Sequence, residues 1–182
     1  MSATPAPTRE RILLAAAELF RRQGYSGTGL KQVVVQAEAP FGSLYHHFPG
    51  GKQQLGAEVV VVGGAFFQAL VTAVYDAEDD PAASVRAVFA CAAETLTATD
   101  FQDACPIATI ALEVASTDDV LRRATAGAFA AWTDALTERL GGDRAKALAV
   151  IAALEGAFVL CRAQRSTEPM RAAGEMAAAH VA

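Results

Sequence analysis

The stretch PFGSLYHHFPGGK, residues 40–52, gathers the side chains best able to do chemistry. His46 and His47 are adjacent, Tyr45 and Phe48 flank them, and Gly-Gly-Lys follows. No carboxylate occurs from residue 39 to 57. Three chemistries fit such a set: metal ligation, catalysis with a cysteine nucleophile, or the gripping of an anion. Adjacent residues on a helix point about 100° apart, so the two histidines do not chelate together. The cysteines, Cys91, Cys105 and Cys161, lie in apolar segments, where a buried inert thiol is the default. An anion grip needs only donors around a narrow element. Thr28, Lys31, Tyr45, His46, His47 and Lys52 are spaced to supply them, and small Gly42 and Ser43 permit close approach.

Net charge sharpens that reading. The chain of 182 residues carries −5 overall, which by itself disfavours a polyanionic partner. Residues 1–52, however, hold six Lys and Arg against three Glu, which is +3, so the remainder carries −8. A basic head on an acidic body follows. No cysteine pair has C-x-x-C spacing and the number is odd, so no disulfide framework is expected. MSATPAP reads as a flexible leader over 1–7, and nothing near it has the pattern of an export signal. A cytoplasmic location is the expectation.

The elements that must position these residues read as helices throughout. In TRERILLAAAELFRRQG, Ile12, Ala16 and Phe20 recur at i, i+4, i+8, with Thr8 as N-cap and Gly24 as stop. Thr28 caps a short helix over roughly 29–37. A break at 38–40 precedes a second short helix, FGSLYHHF, with Pro40 at its start and Leu44 and Phe48 on its inner face. Further helices are expected over 52–76, from Pro81 to about 97, 106–115, 118 or 119 to about 140, 143–164, and from Pro169 to about 180. The 52–76 run is nearly uncharged but short for a bilayer, with aspartates and no basic flank after it. It reads as a buried central helix, and no membrane partner is expected. The fold class is all-α: a three-helix head over 8–51 and a helical-bundle body over 52–182. A long helix, a short helix, a tight turn and another short helix is the order of a helix-turn-helix unit.

RILLAAAELFRRQGYSGTGLKQVVVQAEAPFGSLYHHF resembles the DNA-binding domain of TetR-family transcriptional regulators. Arg11, Ile12, Leu13, Ala15, Ala16, Leu19, Phe20, Gly24, Tyr25, Thr28, Gly42, Leu44, Tyr45, His47, Phe48 and Lys52 carry the resemblance. PxGSxYHHFPGGK and the later CPIA, 105–108, are similar to the LmrA/YxaF-like subgroup, which implies aromatic small-molecule ligands. Two residues depart from the family pattern. Glu38 stands where a glycine usually sits in the turn, and Phe41 where a small or basic residue is usual. Phe41 cannot donate to guanine, so its expected partner is the C5-methyl of thymine.

The resulting expectation is a ligand-responsive regulator that uses no cofactor. It would be a repressor released from a palindromic double-stranded DNA operator by a small apolar or aromatic effector. One short recognition helix reads few base pairs, so a homodimer is expected. The seam would use Leu148, Ile151, Ala152, Phe158 and Val159 with Met170, Ala173 and Ala177. The effector pocket would use Phe66, Phe67, Leu70, Phe89, Cys105, Ile107 and Trp132, beside a helix softened by Gly63-Gly64. Glu155, inside an apolar helix, could face solvent, pair across an interface or line the pocket. A small helical enzyme using a cysteine or a metal, and a helical protein-interaction module, stand as alternatives.

Overall fold

The computed structural model describes residues 6–182, so the first five residues of the expected leader lie outside the described residues. Among the described residues there are nine helices and no strand. They are α1 (Thr8–Gln23), α2 (Leu30–Gln36), α3 (Phe41–His47), α4 (Gly51–Tyr75), α5 (Pro81–Ala98), α6 (Pro106–Val114), α7 (Asp119–Arg139), α8 (Arg144–Gln164) and α9 (Glu168–Val181). The chain divides into two compact units. One holds residues 6–64 and 106–126 and the other holds 65–105 and 127–182, so α4 and α7 each contribute to both. The first division falls directly after Gly63-Gly64.

In the first unit α1 packs on α2, α3 and α6. Its inner stripe of Ile12, Ala16 and Phe20 is fully buried, as are Val33, Leu44, Phe48 and Leu55. Burying each large side chain of this kind is worth about 1.5–3 kcal/mol, enough to fix seven-residue helices too short to persist alone. The caps differ from the sequence expectation by one residue: Pro7 and Gly29, not Thr8 and Thr28, occupy the N-cap positions. Gln32 Oε1 accepts from the Gly29 N–H at 2.8 Å, so the side chain three residues on supplies the cap.

In the second unit α5 and α8 both pack on α9. Phe89, Leu96, Leu154, Cys161, Met170 and Ala178 lie at the centre of its core. Aspartates start two of its helices: Asp80 accepts from Ala83 N at 2.8 Å and Asp143 from Lys146 N at 3.0 Å. The acidic run 76–80 is exposed, and Asp76 makes a two-pronged pair with Arg139 at 2.7 and 2.8 Å.

α4 and α8 are long and apolar enough to cross a membrane by length and composition. The expectation of a buried central helix for α4 is corrected. Val59 and Val60 are buried, whereas Val61, Val62, Phe66 and Leu70 are exposed, because a continuous apolar run necessarily lines every face of a helix.

Candidate nucleic-acid interface and body cavity

The turn between α2 and α3 is built on Glu38, whose φ of 48° is left-handed. Arg11 donates from a guanidinium nitrogen to the Glu38 carbonyl at 3.1 Å and ties the turn to α1. A non-glycine residue pays about 1–2 kcal/mol for this conformation. Glu38→Gly should therefore raise stability by about 1 kcal/mol after the extra chain entropy of glycine is subtracted. Urea denaturation at fixed protein concentration reads this directly. A loss of stability would mean that the Glu38 side chain makes a contact outweighing the strain.

α3 is held by Leu44 and the following Phe48, both fully buried, and so turns its other face outward. Phe41 and Tyr45 are 45% and 48% exposed, and their rings meet edge-on at 5.7 Å. Gly42 and His46 are exposed beside them, and Ser43 and His47 are half-buried. A Cβ placed on Gly42 would meet nothing within 4 Å, so this side of α3 is open to a close partner. The His46 and His47 rings lie 4.9 Å apart, edge to face. Lys31 is exposed on α2.

One expected phosphate donor, Thr28, is corrected. Thr28 is only 1% exposed, and its hydroxyl donates to the Gly24 carbonyl at 2.7 Å. It completes the turn after α1 and does not face outward. Lys52 turns back onto the same turn, with Nζ 4.5 Å from the Tyr25 ring centroid and 3.4 Å from the Ser26 carbonyl. Partial burial pulls its ammonium below the usual lysine value, and the Glu113 carboxylate works in the opposite direction.

Glu113, on α6, is a residue that sequence reasoning missed. Its carboxylate accepts from the Tyr25 and Ser26 backbone N–H groups at 3.1 and 2.6 Å. Gly24, at φ 83°, makes room for it: a Cβ there would lie 2.2 Å from Glu113 Oε1. Gly56 gives similar clearance to Tyr25, whose ring would lie 2.8 Å from an added Cβ. The partners are 87 and 88 residues apart in sequence, and no local pattern signals the pairing.

The second unit contains a small cavity of about 60 Å³ that opens to solvent on one side. Phe67, Val71, Trp132, Leu136, Ile151 and Leu154 form much of its wall. Phe67 and Trp132 were expected there, and their ring centroids are 4.8 Å apart. The other expected lining residues are placed elsewhere. Phe66 and Leu70 are exposed, each lying about 100° around α4 from its neighbour on the wall, Phe67 or Val71. Phe89 is 2% exposed in the α5–α9 core, and Ile107 is fully buried in the first unit. Cys105 is buried beside Glu155. The cavity's polar wall includes Glu155 and Tyr75. Neither Glu155 oxygen nor the Tyr75 hydroxyl finds a hydrogen-bond partner of ordinary strength. Burial pushes the Glu155 carboxyl up to about 7, and the weakly donating Cys105 thiol pulls the other way.

The expected seam also separates in two. Leu148, Ala152 and Val159 are exposed on α8. Phe158, Met170 and Ala177 are buried within the protomer, and Ile151 lines the cavity. Ala173 is half-buried. The correction follows from helical period: Leu154, Ala157, Phe158 and Cys161 form the inward stripe of α8, which leaves 148, 152 and 159 facing out.

Residues 12–59 match the profile of bacterial regulatory proteins of the tetR family. Residues 81–176, more than half the chain, match the C-terminal domain of LmrA/YxaF-like transcriptional regulators. The chain belongs to the TetR family. It is 33% identical over 170 residues to the HTH-type transcriptional regulator LmrA of Bacillus subtilis, covering 90% of each chain. It is 27% identical over 177 residues to the HTH-type transcriptional repressor DhaR of a Mycobacterium species, covering 90% of this chain and 87% of that one. The crystal structure of a regulatory protein TetR from Rhodobacter sphaeroides superimposes with a TM-score of 0.88 at 21% identity, covering 96% and 99%. The protein is thus a DNA-binding transcriptional regulator of the TetR fold, not an enzyme.

Proposed function

We propose that the protein is a repressor, acting as a cytoplasmic homodimer on a palindromic operator and released by a small aromatic effector. The observation that carries the reading is α3 itself: its apolar side is buried and its outer side offers Phe41, Gly42, Tyr45 and His46. Phe41 and Tyr45 are the expected base-edge and phosphate contacts, and Lys31 on α2 adds a cation. The printed name of the relative DhaR supports repression. The exposed Leu148, Ala152 and Val159 on α8 support a second copy as the occupant of that face. The cavity bounded by Phe67 and Trp132 supports an apolar aromatic effector. Gly63-Gly64, where the first unit ends within α4, is the proposed point of flexing.

The test is a gel-shift with DNA upstream of the protein's own gene, repeated over a range of salt. Affinity should fall steeply as salt rises, because phosphate contacts release counterions. Lys31→Ala should weaken binding to specific and random DNA alike and lower the salt slope by about one. Lys52→Ala, whose ammonium is engaged with Tyr25 and Ser26, should leave that slope nearly unchanged. The reverse result would return Lys52 to the DNA surface and remove Lys31 from it.

A further inference from the structure

Glu155 is a charge-capable group without a counterpart. Both of its oxygens are buried, and the donor beside them is the weak Cys105 thiol, with no hydrogen bond of ordinary strength. A carboxylate withdrawn from water at such a place is costly unless something meets it. Arg139 is another charged residue on the cavity wall, but it is already engaged. Two of its nitrogens bind Asp76, and a third side-chain nitrogen donates to the Ala135 carbonyl at 3.0 Å. Gln68 and Thr72 are the neutral polar side chains on the wall besides Tyr75; the rest is apolar and carries the Phe67 and Trp132 rings. Phe67 lies against Trp132 at an interplanar angle of 43°, and Phe129 meets the same indole edge-on at 87°. Aromatic faces carry negative electrostatic potential and attract cations held away from water.

We propose that this cavity takes an apolar cation, a protonated or quaternary nitrogen on a hydrocarbon or aryl frame, with Glu155 as its counter-charge. The inference rests on the reading of the cavity as the effector site and narrows its chemistry. A neutral ring would satisfy the apolar wall and leave Glu155 unmet. An anion would face Glu155 with like charge. A cation of this kind pairs with the carboxylate while its frame covers Phe67, Trp132 and Leu136. The Tyr75 hydroxyl, buried and unpartnered, is free to accept from an N–H of the same head group.

Three probes that differ only in the head group test this: 3-phenylpropylammonium, 3-phenylpropan-1-ol and 3-phenylpropanoate. Binding to the full chain is followed by the fluorescence of Trp132, the sole tryptophan, and by calorimetry. The ammonium should bind at least roughly tenfold more tightly than the alcohol, and the carboxylate more weakly than either. In Glu155→Gln the ammonium's advantage should shrink to within roughly threefold, while the alcohol keeps its wild-type affinity. That second result also shows that the variant's cavity is intact. Equal affinity of ammonium and alcohol, or an advantage that survives Glu155→Gln, overturns the cation inference and leaves the effector cavity standing. Failure of all three to bind overturns the cavity reading as well.

Discussion

Phe89→Ala is expected to lower stability by about 3–5 kcal/mol, with a fall in melting temperature of roughly 6–20 °C. Phe89 is 2% exposed and lies against Gly174 of α9. An added Cβ on Gly174 would come within 2.9 Å of the Phe89 Cβ, so glycine is what lets the ring seat between the helices. Alanine at 89 would remove the entire ring from a packed core that cannot close over the gap, because α8 and α9 are held by their own contacts. Such a loss is a large part of the roughly 5–15 kcal/mol that holds a domain together. Melting or urea denaturation at fixed protein concentration measures it. A Phe89→Ala protein that melted like wild type but lost its response to effector would instead make Phe89 a ligand contact.

Hydrophobic spacing identifies Phe89 as inward-facing without saying which neighbours it meets. The same distinction runs through the chain. The nine helices of the described residues are legible because proline, glycine and aspartate punctuate an alanine-rich sequence at their ends, as at Asp80-Pro81 and Gly141-Gly142-Asp143. The outward face of α3 is legible because Leu44 and Phe48 are four residues apart on one side of a short helix. The left-handed turn at Glu38 is legible from the glycine expected there. Residues that act through long-range pairing are not. Lys52 looks like a free cation beside the recognition helix until Tyr25 and Ser26 close on it, and Glu113 has no local signature. On α4 and α8 nearly every position is apolar, so period cannot separate the inward face from the exposed one. That is why Phe66 and Phe67, or Val159 and Phe158, cannot be told apart by pattern alone.

Glu155→Gln is expected to change the dependence of stability on pH more than stability itself at any one pH. In the folded protein, burial pushes the Glu155 carboxyl up to about 7 from 4.5. Well below pH 4.5 both the folded and unfolded chains hold this proton, and Glu155 contributes no slope. Between 4.5 and about 7 the unfolded chain gives the proton up while the folded one retains it, so stability falls as pH rises. Above about 7 the folded protein carries a buried carboxylate, and the loss is complete. From about pH 5 to about pH 8 this amounts to about 2.5 kcal/mol. The groups nearest the carboxyl do not cancel it: the Cys105 thiol is a weak donor, and Arg139 is engaged with Asp76. Glutamine keeps the shape, and any cost of its buried amide is the same at every pH. The stability of Glu155→Gln relative to wild type should therefore climb by about 2.5 kcal/mol across that range, whatever its value at the acidic end. Every other group is common to the two proteins and drops out of the difference. Parallel pH profiles for the two proteins would mean that Glu155 is ionised and matched in the empty cavity. An apolar cation bound there should flatten the wild-type slope, because it supplies the partner that the empty cavity lacks.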